Sequence, residues 1–393
     1  MNKQMQAQRE KEDFCHLEVK GFRRLYDISI PLRPLTVMIG ANGVGKTSIL
    51  DVIDLLAVSA NAGINKRISN LSGVNALLTI DKADSISFGI DMPVSGYEPL
   101  KYTLNLAVNG TAYNVSSEQL SQSRDTGINS PFMHIDSHFS DVKYHDVELR
   151  KFIRPTWDHN PLETSLSQVP KMYKQPEDFR KRLGSSTFYH VLNVDPRAPV
   201  RLPQLMRPAE LPGKDGEDLV SCLYYLRETD RDTYDAVEDT LKAAFPGFER
   251  LDFPPVAAGT IALTWKDMNF SKPLYMHQLS EGTLRFLWLV TLLQSPGLTA
   301  VTLLDEPEVS LHPELLSQLA DLFREASSRS QIIVATHSDR LINFLNPDEV
   351  LVMDLNDDGT TSAKWADTLD LDKWLEEYTL DEVWRMGRMG GRV

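Results

Sequence analysis

Residues Gly40 to Ser48 have the types and spacing of a loop that holds a phosphate chain. They read Gly-Ala-Asn-Gly-Val-Gly-Lys-Thr-Ser and fit the pattern G-x-x-x-x-G-K-[ST]. In such a loop, glycines let backbone N–H groups turn inward around phosphate oxygens. The Lys46 ammonium would reach the β- and γ-phosphates, and the Thr47 hydroxyl would bind Mg²⁺. The sequence therefore predicts a site for a nucleoside triphosphate with magnesium, the alternative being a chance match in a glycine-rich turn.

The segments on either side of this loop favour the nucleotide interpretation. An apolar run over 35–39 precedes the loop and has the composition of a buried strand. Apolar residues within 46–60 then recur at helical spacing. The N-terminus of such a helix adds a partial positive charge beside bound phosphates. Strand, glycine loop and helix together are the arrangement that phosphate binding requires.

A second acidic motif follows another apolar run late in the chain. Residues 298–304 predict a buried strand that ends at Asp305-Glu306-Pro307-Glu308. Carboxylates at the end of a buried strand suit the second half of a nucleotide site. Asp305 would hold the Mg²⁺ shell through water, and Glu306 could orient or deprotonate an attacking water. The alternative is that the acidic pair caps the next helix.

Two further positions could contact phosphate oxygens. His337 follows a predicted buried strand, 331–336, where it could donate to a γ-phosphate, although a lone histidine can also be structural. Ser280 and Gly282 precede an apolar helix, 284–293, and offer a hydroxyl and unpaired N–H groups to an anion. For Ser280 the alternative is an ordinary helix N-cap.

The composition limits the class of protein. The chain has 393 residues, enough for two or three domains, and a formal net charge of −14, which disfavours non-specific coating of nucleic acid. Two cysteines, Cys15 and Cys222, favour a reducing compartment over a disulfide framework. No apolar run approaches the length of a membrane span. We therefore expect a soluble, cytoplasmic protein with no membrane partner.

Two clusters in the middle of the chain have alternative interpretations. Positive residues are frequent over 150–182, and we favour a solvated helical face there over a nucleic-acid groove, while nucleic acid stays open as a partner. His134 and His138 are spaced to share a helix face as metal ligands. No third ligand of distinctive spacing accompanies them, so we favour a solvated or core-edge position.

The motifs occur in the order found in an ABC-type ATPase head. Gly40 to Thr47, Leu279 to Thr283, Leu303 to Glu306, Ser310 to Pro313 and His337 resemble the Walker A, signature, Walker B, D-loop and switch-histidine motifs. More narrowly, they resemble the SMC/RecF/OLD branch. Asn42, the run Glu308 to Pro313 and the long separation of Lys46 from Ser280 are typical of that branch. One departure is Leu-Ser-Glu-Gly-Thr in place of the usual Leu-Ser-Gly-Gly-Gln.

The resemblance implies a fold and a set of site residues. The fold would be an α/β, P-loop NTPase head with a mixed or parallel sheet, a flanking antiparallel β-subdomain and a mostly helical insertion. The resemblance also implies a dimer with two ATP molecules in its interface, in which Ser280 and Gly282 act on the partner's nucleotide. The expected nucleotide-binding residues are Gly40, Asn42, Gly43, Gly45, Lys46, Thr47, Ser48, Ser280 and Gly282. The expected magnesium residues are Thr47 and Asp305, and the expected catalytic residues are Lys46, Glu306 and His337.

The resemblance and the local composition suggest four segments. Residues 1–121 would carry Walker A and the antiparallel subdomain, and 122–200 a mostly helical insertion or lid. Residues 201–355 would carry the signature, Walker B, D-loop and switch histidine. Residues 356–393 would form a short C-terminal extension, with a hairpin and two short helices, 371–378 and 380–389.

Three functions compete on this basis. We favour an ATPase whose ATP-gated dimerisation, or higher homo-oligomerisation, senses or clamps a macromolecule and controls a separate effector protein. Such stand-alone ATPases resemble subunits of two-gene anti-phage defence systems. The residues after His337 are too few for the TOPRIM nuclease domain of OLD-type nucleases, so we expect any nuclease to be another chain. The alternatives are a RecF-like DNA-repair ATPase and, less favoured, the ATP-binding subunit of a membrane transporter.

Overall fold

The chain folds into two compact units, and the second is a continuous segment that lies in sequence between the two segments of the first. The structure is a computed structural model, and it describes residues 13–123, 130–371, 374 and 377–390. One unit takes the chain up to Phe188 and again from Pro347, and the other is Tyr189–Asn346. Part of the predicted helix over 371–378, residues 372–373 and 375–376, lies outside the described residues, as do residues 391–393. The helix predicted over 380–389 is confirmed as far as Arg385, and residues 386–389 form turns and bends.

The secondary structure elements are numbered in chain order. The strands are β1 His16–Phe22, β2 Leu25–Pro31, β3 Leu35–Ile39, β4 Ser85–Val94, β5 Tyr97–Asn109, β6 Ala112–Gln122, β7 Phe132–His138, β8 Tyr144–Asp146, β9 Lys151–Ile153, β10 Thr187–Tyr189, β11 Gln204–Leu205, β12 Phe248–Asp252, β13 Pro255–Ala257, β14 Thr260–Ile261, β15 Thr264–Asp267, β16 Leu274–Tyr275, β17 Val301–Asp305, β18 Gln331–Ala335, β19 Val350–Leu355 and β20 Thr361–Trp365. The α-helices are α1 Lys46–Ser59, α2 Ile64–Asn70, α3 Ser165–Gln168, α4 Lys174–Gly184, α5 Leu219–Thr229, α6 Arg231–Ala244, α7 Glu281–Gln294, α8 Leu316–Ser327, α9 Asp339–Ile342 and α10 Leu380–Arg385.

An antiparallel sheet dominates the first unit. Its eight strands lie in the order β2-β1-β4-β5-β6-β7-β8-β9. Apolar residues alternate along β1 and β2, so that Leu17 pairs with Ile30 and Val19 with Ile28, and all four side chains are buried. The predicted hairpin over 16–32 is therefore confirmed. The long hairpin of β5 and β6 confirms the one predicted over 104–115.

The prediction that 122–200 is mostly helical is wrong over its described part. β7, β8 and β9 extend the antiparallel sheet there, and helix is confined to α3 and α4 up to residue 184. The error has a physical cause, because β7 has only seven residues and two of its buried residues, His134 and Ser137, are polar, so its sequence carries no clear two-residue hydrophobic period. His134 and His138 consequently lie on a strand rather than on a helix.

A second group of strands in the first unit supports the phosphate loop. β3 is buried at all five positions and pairs in parallel with β19, which in turn pairs antiparallel with β20. β19 and β20 confirm the hairpin predicted around Asn356 to Gly359. The segment from 356 onward, expected as an extension, therefore contributes a strand to the support of β3.

Parallel strands and a buried helix form the centre of the second unit. β17 and β18 pair in parallel, with Asp305 opposite Ala335. α7 is buried on nearly every side, as expected for a helix that is apolar all round. α5 and α6 confirm the helices predicted from 218 and 233. Two three-stranded sheets, β11-β14-β13 and β12-β15-β16, complete the unit. Within the described residues, no helix is long and apolar enough to cross a lipid bilayer.

Candidate nucleotide site

The phosphate loop leaves β3 and turns into α1 at Lys46. Gly40, Gly43 and Gly45 have φ values of 153°, 79° and 106°, which residues with a side chain rarely adopt. At Gly40, a Cβ atom would lie 2.3 Å from the backbone oxygen of Met353 in β19. At Gly45, it would lie 3.1 Å from the Thr361 hydroxyl oxygen in β20. The hairpin of β19 and β20 thus leaves no room for a side chain at Gly40, whereas at Gly45 a tight contact adds to the positive φ that favours glycine.

Lys46 already points its ammonium into the loop. Its Nζ donates to the carbonyl oxygens of Gly40 at 2.6 Å and Ala41 at 2.9 Å, and only 4% of the residue is exposed. A buried ammonium group that lies among carbonyl oxygens attracts phosphate oxygens strongly. Asn42 and Thr47 are exposed, whereas Ser48 is buried. The Thr47 side chain is therefore accessible to a ligand, which a magnesium-binding hydroxyl requires.

A network of ion pairs fixes the first turns of α1, and the sequence did not reveal it. Asp51 is buried and accepts from Arg23 Nη1 at 2.7 Å and from Arg67 Nη2 at 3.0 Å. Arg67 Nε also lies 2.6 Å from Asp54. Arg23 Nη1 lies 3.4 Å from the Ser48 hydroxyl, so the turn between β1 and β2 is tied to the helix that begins at the loop.

Beside this network the first unit has an open cavity of about 400 Å³. Arg23 and Arg24 line it, together with apolar Leu78 and Ile80. Lys82 forms a 2.6 Å ion pair with Asp358 at its edge, and that contact lowers the pKa of the Asp358 carboxyl. A cavity with apolar and cationic walls can hold a planar, polar ring.

In the second unit, the predicted acidic residue and the predicted histidine are in contact. His337 Nε2 lies 3.1 Å from Glu306 Oε1, and both side chains are partly exposed. Glu306 has φ 49°, an uncommon conformation for a residue with a side chain, and its N–H donates to the Ala335 carbonyl at 2.8 Å. The parallel register of β17 and β18 brings the two strand ends together, so Asp305, Glu306 and His337 share one edge.

Glu308 places a further carboxyl group at this edge, and the sequence does not predict its hydrogen bonds. Glu308 accepts from the Thr336 hydroxyl and from the His337 N–H, the latter at 3.3 Å. Its second oxygen, Oε2, is buried and has no hydrogen-bond partner among the described residues. Burial raises the pKa of the Glu308 carboxyl, opposed by the Thr336 hydroxyl.

The signature segment contacts the D-loop within the same unit. Ser280 is the N-cap of α7, as the alternative interpretation predicted, and accepts from the Thr283 N–H at 3.1 Å. A Cβ atom at Gly282 would lie 2.5 Å from the backbone oxygen of Ser310, so glycine is required there. Arg285 donates to the Ser310 hydroxyl and, at 3.3 Å, to the Val309 carbonyl. Ser280 and Gly282 are thus held against the segment that follows Glu308.

Five basic residues of the stretch over 150–182 pair with neighbouring carboxylates. Arg154 pairs with Asp141, Lys171 with Glu148, Arg180 and Lys181 with Glu177, and Arg182 with Asp13. Paired cations neutralise fewer phosphates of a nucleic acid, because each contact must first replace an existing partner. The pairing supports the solvated-face interpretation of this stretch.

The structure thus groups the predicted residues within each unit. In the first unit, the glycines, Lys46, Thr47 and Ser48 form one loop. In the second, Asp305, Glu306 and His337 meet at one edge, and Ser280 and Gly282 lie at the start of α7. Sequence reasoning named Glu308 only as part of a motif, and it missed the supporting residues Thr361, Asp51 and Arg285. The acidic residue in the first turns of α1 was the only local signal for any of them, since the others act through distant segments.

Comparisons with known proteins identify the family and the fold of the chain. The sequence model of a family described as "AAA domain, putative AbiEii toxin, Type IV TA system" matches residues 35–343. The OLD nuclease of Thermus scotoductus is 60% identical over 40 residues, which are 10% of this chain and 8% of that protein. The chain therefore matches only a small part of that curated relative.

Two solved structures share the fold. An Smc head bound to the C-winged helix domain of ScpA aligns with a TM-score of 0.54 and 17% identity, over 90% of this chain and 97% of that chain. An Smc head domain with an extended coiled coil, bound to the C-terminal domain of ScpA and derived from Pyrococcus furiosus, aligns with a TM-score of 0.56 and 14% identity, over 93% and 99%. The expected α/β ATPase-head fold of the SMC/OLD-like branch is confirmed. The chain belongs to the AAA domain family whose model covers residues 35–343.

Proposed function

We propose that this protein binds and hydrolyses ATP and that ATP controls its dimerisation. The observation that carries the proposal is the contact between Glu306 and His337, 3.1 Å apart, at the end of the strand that delivers Asp305. A carboxylate beside an imidazole suits the orientation of a water molecule for attack on a phosphoryl group. The family of the chain and the Smc-head fold support the same chemistry.

In this proposal the residues of the two units have separate roles. The loop from Gly40 to Ser48 holds the phosphates through its N–H groups, with the Lys46 ammonium neutralising their charge. Thr47 and Asp305 are the residues that would hold Mg²⁺, which would stabilise the charge that develops on the transferred phosphoryl group. Glu306 orients or deprotonates the water, and His337 donates to the γ-phosphate.

Structural features of this chain, apart from its relatives, fit the binding of a magnesium nucleotide. The Thr47 side chain is exposed at the start of α1, and the Lys46 ammonium is buried among carbonyl oxygens that a phosphate can replace. The cavity lined by Arg23 and Arg24 offers room for the base. These features together support a triphosphate nucleotide better than a simple phosphate ion.

The test separates binding from turnover. Lys46→Ala should lose binding of a fluorescent ATP analogue, whereas Glu306→Gln should bind it normally and lose at least about 100-fold in kcat, the size of effect expected from removing a catalytic base. An exposed acid elsewhere, Glu249→Gln, serves as the matched control. Normal turnover by Glu306→Gln would show that Glu306 is not the base.

The same variants test dimerisation. We propose that Ser280 and Gly282 of one subunit contact the ATP held by the other, so that nucleotide links the two copies. Glu306→Gln with ATP and magnesium should then be dimeric or larger by light scattering, and monomeric without nucleotide. Ser280→Gly in the same background removes the hydroxyl that would contact the partner's nucleotide, at little cost to the N-cap of α7. It should dimerise more weakly while still binding ATP. A Glu306→Gln protein that stays monomeric at saturating ATP would contradict this step.

We further propose that the dimer is cytoplasmic and controls a separate effector protein in anti-phage defence. The support is the family description, which names a toxin–antitoxin system, and the short identity with an OLD nuclease. The two aligned Smc heads are themselves bound to domains of another protein, ScpA. Tagged Glu306→Gln protein, expressed with its neighbouring genes, should retain an effector with ATP and release it without ATP. Retention that does not depend on ATP, or no retained neighbour, would count against this part.

A further inference from the structure

The contact between Glu306 and His337 needs support beyond the two side chains themselves. The two side chains are 39% and 36% exposed, and a partly exposed ion pair contributes little to holding two loops in one geometry. Both residues lie just beyond the ends of β17 and β18, where the regular pairing of the strands stops. The geometry of the pair must therefore be fixed by neighbouring groups.

Glu308 is the side chain that connects these two loops. It follows Glu306 by one short turn, which is closed by the Val309 N–H donating to the Glu306 carbonyl at 3.2 Å. From this turn, Glu308 Oε1 accepts from the Thr336 hydroxyl and from the His337 N–H. One carboxyl oxygen therefore binds the backbone of His337 itself and the residue before it.

The direction of the hydrogen bonds makes this connection specific. The Thr336 hydroxyl accepts from the Ser338 N–H at 3.0 Å, so its single proton is directed to Glu308. Ser338 in turn caps α9 by accepting from the Leu341 N–H at 3.1 Å. Thr336 is fully buried, so these hydrogen bonds have little room to rearrange. The loop that carries His337 is held from one side by α9 and from the other by Glu308.

The energetic cost of burying the Glu308 carboxyl group indicates that this residue has a role beyond packing. Glu308 Oε2 is buried without a hydrogen-bond partner in the described part of the chain, and Glu306 adds a second carboxylate nearby. An apolar residue of similar size would avoid both penalties. Groups that retain such a penalty are candidates for a functional role.

We propose that Glu308 is a positioning residue that holds His337 against Glu306 through the Thr336 hydroxyl and the His337 N–H. This inference rests on the proposed ATPase function and assigns it an additional residue. Glu308 does not contact the reacting atoms in this role. Its removal should therefore change how well the pair is aligned for turnover and leave nucleotide binding to the phosphate loop.

Four variants test the proposal by steady-state kinetics. Glu308→Ala and Thr336→Val should each lower kcat by about 10-fold or more, with KM for ATP within about 3-fold of the wild type, because misalignment affects the reacting geometry. Glu308→Gln keeps an acceptor oxygen and should retain at least about one third of kcat. Glu314→Ala removes an exposed acid of the same segment and is the control.

Coupling between the two positions sharpens this test. If Glu308 and Thr336 act through one hydrogen bond, the double variant should be no slower than the slower single variant within about 2-fold. Independent, multiplying losses would overturn the proposal. So would a normal kcat for Glu308→Ala, or a Glu308→Gln protein as slow as Glu308→Ala, since the acceptor would then not be what matters.

A nucleotide-free measurement separates failure of this inference from failure of the ATPase proposal. The ring signals of His337, assigned by their loss in His337→Asn, should move in Glu308→Ala and Thr336→Val and stay in place in Glu314→Ala. If the wild type hydrolyses no ATP, the proposed function fails while these signals still test the positioning role. Unchanged His337 signals in both Glu308→Ala and Thr336→Val would overturn it. If Glu308→Ala does not fold, Thr336→Val and Glu308→Gln give the same decision.

Discussion

The Thr361 hydroxyl donates a 2.6 Å hydrogen bond to the backbone carbonyl of Val44, which lies 317 positions earlier in the chain. Val44 is in the middle of the phosphate loop, and Thr361 begins β20. The same strand is tied to the turn between β1 and β2, because the Thr361 N–H donates to the Arg24 carbonyl at 3.0 Å. The loop that would hold ATP is therefore supported from behind by a distant strand.

Thr361→Val should weaken this support. Valine has the same shape but no donor, so the buried Val44 carbonyl loses a partner, at a cost of about 1–3 kcal/mol in the free energy of unfolding. Binding of a fluorescent ATP analogue should weaken by about 3- to 10-fold, because the loop is less well ordered before the ligand arrives. Urea denaturation and fluorescence titration check both. Thr361→Ser keeps the hydroxyl, and equal losses in the two variants would exclude the hydrogen bond as the cause.

The glycines of the loop should differ in their tolerance of alanine. A Cβ at Gly40 would lie 2.3 Å from the Met353 backbone oxygen, which cannot move without breaking β19, so Gly40→Ala should cost at least about 3 kcal/mol of stability. A Cβ at Gly43 meets nothing within 4 Å. Gly43→Ala should therefore cost only the strain of a positive φ, about 1 kcal/mol. Equal destabilisation in thermal unfolding would contradict this explanation.

Asp51 should be essential to the anchoring of α1. Asp51→Ala leaves the partly buried guanidinium groups of Arg23 and Arg67 without their shared carboxylate, which should cost about 2–4 kcal/mol in the free energy of unfolding. The exposed pair of Lys20 and Asp27 is the control, and Asp27→Ala should cost less than about 1 kcal/mol. Denaturant unfolding of both proteins decides the matter, and similar costs would mean that the network adds no more than a surface pair.

His134 should make stability depend on pH in the acid range. Its ring is buried beside Phe132 and Tyr173, and burial, with a smaller effect of His145, lowers its pKa from 6.5 to about 4. Between these values the unfolded chain binds a proton that the folded chain does not. The stabilisation is therefore fully present above pH 6.5 and is lost as the pH falls toward 4, by about 3 kcal/mol in total.

His134→Phe should remove this dependence. Stability measured by denaturant unfolding at several pH values would be compared between the two proteins, so that the contributions of other groups cancel. The difference between them should be constant above pH 6.5 and should change by about 3 kcal/mol in favour of the variant near pH 4. His138→Phe, at an exposed position of the same strand, is the control. A pH-independent difference for His134→Phe would contradict the prediction.

The parts of the site that the sequence predicted are local in the chain. Strand, glycine loop and helix over 35–60 are encoded within one stretch, and the acidic residues after β17 follow directly from a buried apolar run. The contact between Glu306 and His337 could be expected because two parallel strands end at the same edge. Each inference needed only neighbouring residues or one pair of strands.

The parts that the sequence did not predict depend on distant segments. Nothing near Thr361 indicates that it binds Val44, because the contact exists only once β19 pairs with β3. The sequence between 132 and 153 does not indicate its three short strands, since they are held by pairing with β6 and one another rather than by a strong local pattern. Glu308 looked like part of a motif, and only the positions of Thr336 and His337 show what it binds.

The dependence of the loop on β20 has a consequence for protein synthesis. A nascent chain carries residues 40–48 out of the ribosome early, yet the strands that back them are translated only after the whole of Tyr189–Asn346. Domains tend to fold as they emerge, so the second unit has time to fold first. A growing chain is thus expected to bind ATP only after β20 has been translated, and a message cut short before codon 361 would yield a polypeptide with the motif but without its support.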